Sequence, residues 1–254
     1  MKNIMRSILF EIMHSKMLIR IYLLMVAVMV LVGVLNMDGK GASEMLASMG
    51  EVAYEFSVFI LALIVGIICG EDYKDKVAYY EVLSGHSRGS IFLARSLMGI
   101  TIGAFFSTLY CFVPMIAGII AGGWGNKLVL GDVIVRQLLF FFPLLRLGAF
   151  FAVLTYIIKN QYVMMAVGWV AAFSCAFLAG HKSFVLSIFN LGLLVKYEGW
   201  SLYNLDPNAG VVRYYTYDSS LSPVLIAGTV IVSLLMTAFY LALGYGLFRR
   251  DELK

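Results

Sequence analysis

The side chains able to do chemistry in this 254-residue chain are few and scattered. The three histidines, His14, His86 and His181, all fall outside the long apolar runs. A metal site or an intramembrane protease centre needs ligands or a nucleophile–base pair that converge within a bundle. There is no His-Glu-x-x-His, and Cys69, Cys111 and Cys175 each sit inside an apolar run, where they read as small hydrophobes. The stretch Gly33 to Lys40 ends in Gly-Lys, but its glycine spacing is wrong and Gly41 stands where a Ser or Thr should follow. The expectation is therefore a chain with no catalytic residue, no metal and no cofactor of its own.

Three charged residues in or beside apolar runs are more informative. Arg146 lies in the middle of the run 133–158, with Pro143 just before it. A cation at that depth in a bilayer costs about 2.5–3.5 kcal/mol on insertion scales and marks a functional position by default. Two readings stand. Arg146 satisfies carbonyls loosened by Pro143 or snorkels, or it lines a translocation pathway facing an acidic group such as Glu55. Arg136, nearer the outer interface, either snorkels or pairs with Glu55.

The charged connection 70–96 is the richest segment. With Tyr73 to Leu83 helical, Tyr79, Val82, Leu83 and His86 fall on one face by i, i+3, i+4, i+7 spacing, His86 lying beyond the helix end. Ser84-Gly85 then stops the helix as a C-cap glycine would. A short amphipathic helix held between two spans suits a socket in a cytoplasmic partner, and an ordinary solvated loop is the plainer alternative.

The elements that must position these residues follow from composition. Only 13% of residues are charged against 61% apolar, where a soluble domain carries about 25% charged. Mean hydropathy is +0.90. The composition excludes a disordered chain, and the net charge of +4 comes without a polybasic tract, so no nucleic-acid partner is expected. A membrane helix needs about 20 mostly apolar residues. Six segments qualify or come close: 18–35, 52–69, 97–122, 133–158, 162–180 and 222–248. The second is the weakest. The first is too long for a signal-peptide core and is followed by no small-x-small site, so it reads as a span. Phe184 to Val195 is apolar but too short to cross.

Twelve of the 19 Lys and Arg fall on the side of both termini, five on the opposite side, and Arg136 and Arg146 within span four. By the positive-inside rule both termini are cytoplasmic. Ahead of span one, Ile4, Met5, Ile8, Leu9, Ile12 and Met13 form one helical stripe. Residues 1–17 are expected to be an interfacial helix beside anionic headgroups, and 18–254 a six-span domain. The fold class is all-α integral membrane.

In this pattern the chain resembles an ABC-2-type permease, the membrane subunit of a class of ABC exporters. The resemblance rests on the N-terminal helix, six spans with both ends inside, and Glu71 opening the charged segment. It also rests on Val82-Leu83-Ser84-Gly85-His86-Ser87-Arg88 leading to Arg95, the turn Ile158-Lys159-Asn160-Gln161, and the tail Phe248-Arg249-Arg250-Asp251. It implies that residues 75–88 carry the coupling helix that docks on a separate ATPase, with Tyr79, Tyr80, Val82, Leu83, Ser84, Gly85, His86 and Arg88 in contact. The family often has Lys where Arg95 stands, and it carries extracellular helices between spans five and six, a position that Phe184 to Val195, as a short helix, and the turn Asn204-Leu205-Asp206-Pro207 fit. The resemblance further implies that ATP and Mg are bound by that partner and that a second permease, identical or homologous, completes the pathway. The location implied is a bacterial plasma membrane. Leu83 to Ser87 is also similar to the nucleotide-binding signature of ABC ATPases, a coincidence in a chain without a phosphate loop.

Compact permeases of this kind resemble those serving antimicrobial peptides, which makes an amphipathic peptide the expected cargo, in export or immunity. The aromatic loop with Tyr197, Trp200, Tyr203, Tyr214, Tyr215 and Tyr217 fits an interfacial belt or a substrate surface. A secondary transporter and a non-transporting membrane scaffold or immunity protein are the alternatives. The first requires midplane ligands and an internal repeat, which these halves do not show. Gly66/Gly70, Gly99/Gly103 and Gly118/Gly122 are candidate close-approach pairs, and Pro114 a kink in span three.

Overall fold

The computed structural model describes residues 2–35, 41–75, 83–125, 129–179 and 223–250, which are helical with no strand among them. The helices are α1 (Lys2–His14), α2 (Lys16–Leu35), α3 (Ala42–Asp75), α4 (Arg88–Cys111), α5 (Val113–Gly122), α6 (Leu130–Leu139), α7 (Phe141–Ile158), α8 (Gln161–Ala179) and α9 (Pro223–Arg250). Among the described residues four segments are long and apolar enough to cross a membrane: Lys16–Gly33, Arg88–Gly122, Leu130–Ile158 and Ile226–Arg249. In hydrocarbon a helix is the economical solution, because it satisfies every backbone donor internally. The expected spans 52–69 and 162–180 fall on α3 and α8, whose apolar parts are the shorter Glu55–Gly70 and Tyr162–Ala171.

The short breaks between helices have local causes. Ser15 separates α1 from α2: its Oγ accepts from the Leu18 amide at 3.5 Å and its carbonyl from Ile19 at 3.1 Å. That is N-capping chemistry for α2. Pro114 stands in the first turn of α5, where a missing N–H does no harm, and the break falls at Phe112. A second break falls at Phe140. Pro143 follows it and leaves the Leu139 carbonyl without its helical donor. Between α7 and α8, Lys159 takes the left-handed conformation (φ 56°) as the C-cap. The Asn160 side chain then accepts from the amides of Tyr162 (2.9 Å) and Val163 (3.3 Å), so two residues end one helix and start the next.

Helix α3 is the centre of the packing, flanked by α4, α5, α7 and α8, while α9 packs on α7. Glycines of the neighbours permit the approach. A Cβ on Gly103 would meet Leu61 Cδ1 at 2.9 Å, and one on Gly99 would meet Cys69 Sγ at 3.4 Å. One on Gly148 would meet Leu61 and Ile100 at 3.3 Å, and one on Gly168 would meet the Ala62 Cβ at 2.5 Å. This is small-residue packing of the kind membrane helices use, with the Gly99/Gly103 pair on the contact surface. At the other end, the Ala42 and Ser43 amides donate to the carbonyls of Gly123 and Trp124 at 2.8 Å. The first turn of α3, which lacks internal acceptors, is satisfied by the loop after α5.

The contacts also give direction. Gly99 lies by Ile68 and Gly103 by Leu61, so α4 runs antiparallel to α3. Ser96 meets Tyr156 while Ile100 meets Gly148, so α7 is antiparallel to α4. Phe150 packs on Tyr240 and Tyr156 on Phe248, so α9 is parallel to α7. Gly168 lies on Ala62 and Trp169 on Phe56, so α8 is antiparallel to α3. Helix α2 runs with α4, as the pairs Tyr22–Phe106 and Met25–Tyr110 require.

Candidate functional site

Two regions hold the residues singled out by the sequence, and a third was missed. The first is the connection between α3 and α4. Tyr73 to Asp75 continue α3 without a break. Tyr79, Tyr80 and Val82 lie outside the described residues, as do Phe184 to Val195, the turn Asn204 to Pro207 and the aromatic loop. Leu83 is 66% exposed, an apolar side chain offered to solvent. Gly85 has φ +90°, a backbone conformation that favours glycine, and Ser84 and Gly85 are both exposed. His86 is half-buried and Arg88 exposed at the first position of α4. Ser87 caps that helix, its Oγ accepting from the Ser90 amide at 3.3 Å and donating to Ser90 Oγ at 3.1 Å. The turn and the capped return together fix where Leu83 is presented.

The second region is a polar belt inside the bundle. Arg146 is 2% exposed and Arg136 is buried one break earlier, while Glu55 is half-buried on α3. Leu61 is the level marker for Gly148. Because α3 and α7 run parallel, Arg146 is level with Phe59, and Glu55 is about one turn further toward the α3 N-terminus. The belt holds groups that hydropathy hides. Gln137 Nε2 donates to the Cys111 carbonyl at 3.0 Å, while its Oε1 and the Ser107 Oγ are buried without a hydrogen-bond partner among the described residues. An unmet buried polar atom costs about 1–3 kcal/mol. Thr229 and Ser233 of α9 are buried as well, and by the register of α9 on α7 they stand level with Leu139 and Pro143. Sequence reading found the arginines because charge is conspicuous. It missed Gln137, Ser107, Thr229 and Ser233, because single amides and hydroxyls barely dent an apolar run. Thr108, for example, hides by donating to the Ala104 carbonyl of its own helix at 2.7 Å.

The third region is the end of the bundle where α1 meets α4. Arg95 is 5% exposed and its Nη1 donates to the Ile68 carbonyl at 3.5 Å. At the next residue of α4, Ser96 shares a buried hydrogen bond of 2.8 Å with Tyr156 of α7. Arg95 also lines a cavity of about 60 Å³ with Glu11, Ser15, Ile8, Ile12 and Ile68. The expected interfacial stripe on α1 therefore divides. Ile4, Ile8 and Ile12 are buried against the protein, Met5 is half-buried, and Leu9 and Met13 face outward.

Chemically, these regions offer an exposed apolar turn, a buried cationic and hydroxylic belt, and a small cavity whose lining includes both Arg95 and Glu11. Among the described residues no three His, Cys, Asp or Glu side chains converge as metal ligands do. The chain matches no known family model, and no curated protein matches it in sequence.

Proposed function

We propose that this chain is the membrane-spanning subunit of an ATP-driven exporter of the ABC-2 type. It crosses a bacterial plasma membrane six times with both termini in the cytoplasm. Two such chains, identical or homologous, form the pathway, and a separate cytoplasmic ATPase binds ATP and Mg and supplies the energy. The chain itself catalyses nothing.

The observation that carries this reading is the α3–α4 connection. Helix α3 continues past its apolar part to Asp75, and the chain returns through exposed Leu83 and the left-handed Gly85 into a helix capped by Ser87. An apolar residue presented on a fixed turn between two helices suits docking into a partner's groove. The alternating directions of α2, α3, α4, α7, α8 and α9 accord with six crossings, and the cytoplasmic ends follow from the placement of Lys and Arg. Arg146, with Glu55 about one turn away in level and Arg136 ten residues earlier in the same expected span, supplies the polar lining of the pathway. An amphipathic, antimicrobial-type peptide is the cargo the family resemblance favours.

The test is affinity purification of the full chain from its native membrane. A nucleotide-binding ATPase should co-purify and should be lost on deleting residues 79–88. A stable assembly without an ATPase would overturn the reading.

A further inference from the structure

A second cavity, of about 260 Å³, lies where the first half of α2 stands off from α3. Helix α2 packs mainly on α5 and only lightly on α3, which leaves the gap. The floor is formed by the buried Ile60, Leu63 and Ile64 of α3, and the rim includes the exposed Ile19 and Leu23 of α2. Every lining side chain is apolar or aromatic, and the one hydroxyl among them, that of Tyr22, already donates to the Phe106 carbonyl at 3.3 Å. Such a wall offers water no partners. An engineered cavity of about 150 Å³ lined by aliphatic and aromatic side chains stays dry and takes up benzene. The larger space here therefore suits hydrocarbon. Its mouth opens between exposed apolar side chains of a helix long and apolar enough to cross a membrane, where hydrocarbon is the solvent.

The charges beside the mouth select among amphiphiles. Lys16, Ile19, Arg20 and Leu23 share one face of α2 by i, i+3, i+4, i+7 spacing. Lys16 and Arg20 are both exposed, so two cations stand at the elbow end of the apolar rim. Arg6 and Glu11, also exposed on α1, are of opposite sign, which leaves Lys16 and Arg20 to set the local charge. The cavity then runs down α2 from Leu18 to Met25. Met25 is nine residues beyond Lys16, about 13.5 Å along the helix and close to half of a hydrocarbon layer about 30 Å thick. Cations at headgroup level beside an apolar slot one leaflet deep match the polarity of an anionic lipid. We infer that this cleft binds one anionic phospholipid of the leaflet next to the α1–α2 elbow, its phosphate on Lys16 and Arg20 and an acyl chain in the cavity. The site rests on α2 crossing a bilayer, and it depends on neither transport nor an ATPase.

The experiment is native mass spectrometry of the purified, delipidated full chain titrated with phosphatidylglycerol and phosphatidylcholine of matched acyl chains. Phosphatidylglycerol should be retained about tenfold better or more, since each cation near the headgroup layer is worth about fivefold. Lys16→Gln combined with Arg20→Gln should bring the two lipids to within about twofold of each other while both are still retained. Ile64→Trp, which fills the floor, should lower retention of both lipids at least about tenfold, the worth of two buried methylenes. Leu23→Trp, at an exposed rim residue that the fold does not bury, should do the same. Leu31→Trp, exposed on α2 beyond the cavity, should change nothing. Glycerol phosphate should not displace the lipid at concentrations where the lipid binds. No retained lipid, equal retention of the two by the natural chain, or a preference that survives the double Gln variant would each overturn the inference. Retention unmoved by both Ile64→Trp and Leu23→Trp, lowered equally by Leu31→Trp, or lost to glycerol phosphate would overturn the place of the acyl chain. Helicity by circular dichroism, measured on each variant, separates loss of the site from loss of the fold.

Discussion

Tyr22 and Tyr110 each hold the other's helix. The Tyr22 hydroxyl donates to the Phe106 carbonyl on α4 at 3.3 Å, and the Tyr110 hydroxyl donates to the Met25 carbonyl on α2 at 3.4 Å. Their rings lie 6.4 Å apart in an edge-on arrangement. Helix α2 is otherwise mostly exposed, with Leu23, Leu24, Val28 and Leu31 facing outward. This reciprocal clasp, with Tyr22 also edge-on to Phe106 at 5.3 Å, ties α2 to α4, and α2 packs besides on α3 and α5.

Replacing either hydroxyl should therefore loosen α2 selectively. Tyr22→Phe and Tyr110→Phe should each cost about 1 kcal/mol, the ordinary net value of a hydrogen bond. Thermal unfolding in detergent, with a fluorophore on α2, should report a lower transition for α2 than for the remainder in the double variant. Unchanged midpoints in both single variants would show that the clasp contributes nothing.

The glycine contacts predict intolerance to a single methyl group. Gly168→Ala should destabilise by about 1–3 kcal/mol, the range for overpacking, because its Cβ would sit 2.5 Å from the Ala62 Cβ. Adding Ala62→Gly should restore the loss. Gly131→Ala, which meets nothing within 4 Å, serves as the control and should change stability by under about 0.5 kcal/mol. Size-exclusion profiles after a heating series are sufficient to rank the variants.

At the turn between α3 and α4, the proposed docking role predicts that Leu83→Asp leaves unfolding unchanged and reduces ATPase capture about tenfold or more, since it places a charge on an exposed apolar contact. Ser87→Ala should do the reverse. It removes the cap of α4, costing about 1 kcal/mol of stability, with little effect on capture. Pull-down yield and unfolding midpoint, read on both variants, separate the two effects. Capture unaffected by Leu83→Asp would remove this turn from the interface.

Arg146→Leu should still assemble but export poorly. Removing one buried, partnered cation leaves its partner groups unmet and lowers stability, so assembly is measured alongside export. A transport role would nevertheless show as a loss of at least about tenfold in export, partly rescued by Arg146→Lys. Export at the natural rate would leave Arg146 a structural residue beside the Phe140 break.

Long apolar runs made the helices legible, and local polar chemistry made their ends illegible. The run starting at residue 97 belongs to a helix that begins at Arg88, because Ser87 caps it ten residues before the apolar stretch starts. The weak span 52–69 is the middle of the 34-residue α3, whose ends are polar enough to lower any hydropathy average. Pro114 did interrupt span three, though the break falls two residues earlier, at Phe112. The second break, at Phe140, was not anticipated, although Pro143 was noted. The Gly99/Gly103 pair was readable from spacing, whereas Gly148 and Gly168 are single glycines whose partners come from distant sequence. Arg146 announced itself by charge, but Gln137 and Ser107 did not, since burial of a neutral polar group depends on which face of the helix packs. The cavity at the α1–α2 elbow could not be foreseen, because Glu11 and Arg95 are 84 residues apart in sequence.

The length of α3 has a mechanical meaning. Thirty-four residues at 1.5 Å each make a rod of about 51 Å, against a hydrocarbon layer of about 30 Å. Even a 40° tilt, the steep end of what membrane helices adopt, leaves its projection on the bilayer normal near 39 Å, about 9 Å more than the layer. In a membrane such a rod emerges at one surface or both. One end is tied to the Gly123–Trp124 loop, and the other leads into the turn that presents Leu83. A push at the Leu83 end then needs no relay of side chains to be felt at the Gly123–Trp124 end. It travels along one unbroken backbone.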